Sequence, residues 1–131
     1  MSSYLNIYVK KKGKEDYTSL LSYSRNSNIY QAINELDNFY SNEWTKKKLS
    51  SYMLREAIQD CIGSINNAKN NIETILSFKI RREEDVNDVN NYKEIIKEQE
   101  SLKSELNMLL EIEEQSKFDY MDSDGLYCYI N

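Results

Sequence analysis

Histidine is absent from the 131 residues. That removes the Ser-His and Cys-His nucleophile pairs, the usual imidazole acid or base, and most zinc and iron sites. Proline is absent too, and glycine occurs only at Gly13, Gly63 and Gly125. No glycine-rich phosphate loop can be drawn from three isolated glycines, so Walker and Rossmann fingerprints are missing. Cysteine is limited to Cys61 and Cys128. Each sits at an apolar position of its local pattern, which reads as two buried free thiols in a reducing compartment. No run of about 18 apolar residues exists to span a bilayer, and the start lacks the basic patch and apolar stretch of a secretory signal. The expected location is the cytoplasm, without membrane contact. With no catalytic motif left, the chain reads as a non-enzyme that needs no cofactor and no metal.

What is present is an ordinary folding composition: 40% hydrophobic and 30% charged residues, with eleven tyrosines. A length of 131 residues suits one domain with its own core, whereas two domains would each be too small. Lysine, asparagine, isoleucine and tyrosine are abundant, as an AT-rich coding sequence produces. Small proteins of this kind are common in phages and mobile elements.

Two apolar seams dominate the middle of the chain. Leu54, Ile58, Cys61, Ile65, Ala68, Ile72 and Ile75 alternate at spacings of four and three, and Val89, Tyr92, Ile96, Leu102, Leu106 and Leu109 form a second edge. The spacing predicts long helices over 49–80 and 85–115. Lys79, Arg81 and Arg82 suit the negative end of the first, and Glu83, Glu84 and Asp85 the positive start of the second, with Asp85 as N-cap and Asp88 three residues on. This charge order favours an antiparallel, coiled-coil-like hairpin over one continuous helix. Gly63 would let another helix approach closely.

The ends of the chain alternate with period two. Tyr4 to Val9 places Leu5, Ile7 and Val9 on one face and Tyr4 and Tyr8 on the other; Leu126, Cys128 and Ile130 oppose Tyr127 and Tyr129 in the same way. With a second strand over 17–24, bearing Leu21 and Tyr23 on one face, the expected sheet comprises 3–24 and 125–131. Ser24 to Ser27 are cap-type residues, which predicts a short helix over 28–40 carrying Ile29, Ile33, Leu36 and Tyr40. Ser41 to Lys48, with the sole tryptophan Trp44, reads as a connection or an early helical turn. The fold class is therefore α+β: a small antiparallel sheet, a short helix and a long helical hairpin.

Three surfaces are nominated for partner binding: the tyrosine face (Tyr4, Tyr8, Tyr127 and Tyr129), the basic hairpin tip (Lys10, Lys11, Lys12 and Lys14) and the acidic stalk end (Glu83, Glu84, Asp85 and Asp88). Glu111, Glu113 and Glu114 extend the acidic row. Residues 1–55 carry net charge +4 and residues 56–131 net −9. The acidic total disfavours nucleic acid as the partner. A protein that inhibits or adapts a host complex, within the host cytoplasm if phage-encoded, is the leading expectation. A self-assembling structural protein and a nucleic-acid-binding module are the alternatives. Seams longer than one partner helix covers point to a homodimer. Asp122-Ser123-Asp124-Gly125 resembles the centre of a calcium loop, but the flanking positions lack its ligands, and a turn from Asp119 to Gly125 explains it.

Overall fold

The computed structural model describes residues 4–36, 46–116 and 123–130. The expected α+β architecture is present. Strands β1 (Tyr4–Lys11), β2 (Tyr17–Ser24), β3 (Lys47–Lys48) and β4 (Ser123–Ile130) form one antiparallel sheet in the order β2-β1-β4-β3. Helix α1 (Asn28–Asn34) follows β2, and α2 (Ser51–Leu76) and α3 (Glu83–Gln115) pack along one another as a hairpin. The C-terminal strand thus lies inside the sheet. β4 pairs along its length with β1 on one side and, at Tyr127 and Cys128, with β3 on the other.

Leu5, Ile7, Leu126 and Cys128 leave one face of the sheet and are at most 1% exposed. They meet Ile29 and Ile33 of α1, Leu54, Ile58 and Cys61 of α2, and Leu102, Leu106 and Leu109 of α3 in one core. Leu21 and Tyr23 pack against its margin. Both seams are buried where the two helices lie over the sheet; farther out, Ile65, Ala68, Ile75 and Val89 stay buried while Ile72, Tyr92 and Ile96 are half-exposed.

Local chemistry sets the helix starts. Ser27 and Ser50 are extended N-caps whose hydroxyls accept the backbone N–H of Tyr30 at 3.2 Å and of Met53 at 3.3 Å. The three-lysine run stays outside α2, where the helix dipole would oppose it, and two of its members form β3. The expected connection over 41–48 thus ends in a strand, extended by the Leu49 N–H, which donates to the Leu126 carbonyl at 2.9 Å.

Several boundaries differ from the sequence reading. α1 covers two turns instead of three, because Glu35 caps it. α2 stops at Leu76, with Ser77 as C-cap, so Phe78 to Ile80 belong to the connection. α3 begins at Glu83 with Arg82 as N-cap; Asp85 sits three residues in and accepts the Arg82 N–H at 2.8 Å. The capping chemistry is the expected one, shifted by one turn. Gly63 faces open space and mediates no close helix approach. Tyr40, Trp44 and the turn over 119–122 lie outside the described residues.

Candidate functional site

The sheet's second face is built by the same alternation that builds the core. Tyr4, Asn6, Tyr8 and Lys10 point away from the helices, and the pairing sets Tyr127 directly beside Tyr8 and Tyr129 beside Asn6. All four nominated tyrosines therefore share one surface. Tyr4 is 40% exposed and the other three are half-buried.

A fifth tyrosine joins them. Simple alternation puts Tyr17 on the same side as Leu21 and Tyr23, but the register against β1 shifts between Ile7 and Tyr8: Ile7 pairs with Leu21, and Tyr8 with Ser19. Leu20 is the extra residue of this bulge and is left 40% exposed. The shift turns Tyr17 to the opposite face, opposite Lys10. Its ring lies edge-on to Tyr8 at 6.3 Å and to Tyr127 at 5.6 Å. No sequence signal marks this bulge, since no glycine accompanies it.

Lysines lie over these rings. Lys46 Nζ is 5.1 Å from the Tyr8 centroid and 4.8 Å from that of Tyr17. Lys10 and Lys48 approach Tyr127 at 5.7 and 5.4 Å. Each such contact stabilises by about 0.5–1 kcal/mol at an exposed site and holds an ammonium in place. Sequence reasoning missed Lys46 because its position depends on β3 pairing with β4. The Tyr17 hydroxyl donates to Glu15 at 3.0 Å; desolvation first, then this bond, hold the phenol above its ordinary pKa.

Of the basic tip, Lys11 ends β1 opposite Ser123, and Lys10, one residue earlier, is tied to β4 by its side chain. Lys10 Nζ donates to Asp124 at 3.1 Å, and the Gly13 N–H donates to the same carboxylate oxygen at 3.0 Å. The Gly13 N–H and then Lys10 hold Asp124 below its ordinary pKa, while the bond to Asp124 raises that of Lys10. This is the work of the aspartate that had suggested a calcium loop. Lys11 is exposed at the end of β1, and Lys12 and Lys14 are exposed on the loop beyond.

The acidic row does not act as one surface. Glu113 is 1% exposed, so it is no part of a phosphate-like display. Both its oxygens accept Lys48 Nζ, Oε2 at 2.7 Å, and Oε1 also accepts the Leu126 N–H at 3.0 Å. Glu114 pairs with Arg55 at 2.6 Å. A cleft of about 660 Å³ beside the α2 N-terminus has Lys12, Lys48 and Arg55 in its wall, but two of these cations already face these carboxylates. Glu83, Glu84 and Asp88 are exposed at the far end of the stalk, with Asp85 half-buried among them. The 26 residues of α2 set that end about 40 Å from the sheet.

The nominated residues thus separate into a tyrosine–lysine face at one end and a charged stalk end at the other. Among the described residues, no group of three or more Cys, Asp or Glu side chains is placed to hold a metal ion. No helix among them is long and apolar enough to cross a membrane. The chain matches no protein-family model, no curated protein and no solved structure.

Proposed function

We propose that this chain is a non-enzymatic protein-binding module that occludes a surface of its partner with the tyrosine–lysine face of its sheet. The observation that carries the reading is the asymmetry of the sheet: one face is sealed by three helices, and the other presents Tyr8, Tyr17 and Tyr127 with Lys10, Lys46 and Lys48 over their rings. Tyrosines supply large contact area at low entropic cost, and Lys46, held over two of the rings, offers a single cation to a carboxylate of the partner. A protein suits this face better than a nucleic acid. Lys48 is matched by Glu113 and Lys10 by Asp124, and the stalk half of the chain is strongly acidic, so an extended polyanion gains little. The composition fits an accessory protein of a phage or mobile element, which would act on a host complex.

The test is recovery of partners by the tagged chain from the natural host's lysate, with and without nuclease. A Tyr8→Thr, Tyr127→Thr, Lys46→Glu variant keeps strand-forming residues at both tyrosine sites and should lose the partner while its circular dichroism is unchanged. Glu83→Lys with Glu84→Lys, at the other end of the molecule, should retain it. If the triple variant recovers the same partner as fully as the natural chain, the sheet face is not the binding surface. A signal abolished by nuclease would transfer the reading to nucleic acid.

A further inference from the structure

The far end of the stalk is apolar where a helical hairpin surrounded by water is normally polar. Ile80 is 84% exposed, Val86 51%, Leu76 49% and Phe78 42%, all within the connection and the helix turns that flank it. At these exposures the four side chains show roughly 400 Å² of apolar surface, comparable to the largest patch on a typical monomer.

The rim of this patch indicates its occupant. Lys79, Arg81 and Arg82 are interleaved with its residues along the connection, and Glu83, Glu84, Asp85 and Asp88 surround Val86 in the first turns of α3. Three cations and four carboxylates nearly balance, so the patch as a whole favours neither a strongly acidic nor a strongly basic partner. The two signs are also segregated, bases on the loop and acids on the helix. Such an arrangement complements a copy of itself turned by a two-fold axis. Elsewhere the stalk is rich in acid, and an approaching second copy brings to the contact the one cluster of cations that this half of the sequence contains.

We infer that the stalk tip is a self-association surface, on which two chains dock end to end about a two-fold axis. Phe78 and Ile80 of each copy fill the centre, and Arg81 and Arg82 of one copy face Glu84 and Asp88 of the other. Within one chain Arg82 lies 3.6 Å from Glu84 with both side chains more than two-thirds exposed, so the pair can be exchanged between copies at little loss. Asp85 keeps its bond to the Arg82 backbone and is not needed across the contact. The patch is about half the area per partner of a standard interface, which places the contact among weak, concentration-dependent associations. The two sheets would then sit at opposite ends of the dimer, each with its tyrosine–lysine face free. This inference stands apart from the proposed function, because it concerns the other end of the molecule and is read without a partner.

Sedimentation velocity of the full chain across a concentration series tests it. The natural chain should pass from monomer to dimer, and Ile80→Asp, at a position too exposed to affect folding, should weaken dimerisation at least about tenfold. Charge variants check the register. An acidic-tip variant, Arg81→Glu with Arg82→Glu, and a basic-tip variant, Glu84→Arg with Asp88→Arg, should each be monomeric alone and dimerise when mixed. A natural chain that stays monomeric at the highest concentration overturns the inference. So does a dimer that Ile80→Asp leaves intact, or a pair of charge variants that does not associate on mixing.

Discussion

Replacing Gly125 with alanine should be the most damaging single-methyl change in this protein. Gly125 lies in β4 at φ +99°, a conformation that costs an L-residue about 1–2 kcal/mol. A Cβ there would also collide with Glu113 Oε1 and Lys48 Nζ. The carboxylate sits in the space a side chain would fill, and from there it accepts both Lys48 and the Leu126 N–H. Its displacement leaves a buried charge and a buried N–H poorly matched, a loss of about 3–5 kcal/mol when uncompensated. Outward rotation of Glu113 recovers part of this, so the net destabilisation should be about 4 kcal/mol. In urea, with a denaturant slope of about 2 kcal/mol per molar, the midpoint falls by about 2 M. Circular dichroism at 222 nm reports it, with Gly63→Ala as the matched control. Gly63 is mid-helix with open space around its missing Cβ, so alanine there should stabilise by about 0.5–1 kcal/mol. A Gly125→Ala midpoint equal to that of the natural chain would refute the argument that Glu113 occupies this space and holds α3 to β4.

Other expectations follow from single groups. Cys61 and Cys128 are 2% and 1% exposed, and burial pushes the Cys128 thiol up to about 12, so both should resist a thiol reagent at pH 8 until urea unfolds the chain; rapid labelling of the native protein would contradict their placement. Asp124 has a folded pKa below its ordinary 3.8, so its contribution to stability is present above that value and lost as pH falls through the depressed one. Asp124→Asn should accordingly lower the urea midpoint at pH 6 and converge on the natural chain in strong acid; an equal difference at both would show that the charge is irrelevant. Ser50→Ala removes the α2 cap and should cost about 1 kcal/mol by urea titration, a loss that Ser50→Asp should largely avoid.

The tyrosine face shows how far sequence reasoning reaches. Tyr4, Tyr8, Tyr127 and Tyr129 are found together because each strand keeps strict alternation and β1 pairs with β4 without a slip across them. Tyr17 and Lys46 escape it. The first is turned over by a bulge at Leu20, and the second is carried to the face by a two-residue strand with no apolar pattern of its own. Glu113 is the opposite error. On the helix it looks like one more member of an acidic row, and only the passage of β4 beneath α3 makes it a buried partner of Lys48 and Leu126.

By itself the sequence determined the elements whose signals are local: two heptad-spaced seams, the cap-type residues before α1, the charge reversal between Arg82 and Glu83, and period-two strands at both ends. These depend on side chains within a few residues of one another, so periodicity and capping suffice to read them. Only the tertiary structure decided the strand order, the register shift that exposes Leu20 and recruits Tyr17, and the burial of Glu113 beside Gly125. Those depend on which distant segments meet and in what register, a quantity set by the packing of the whole core and carried by no short stretch of chain.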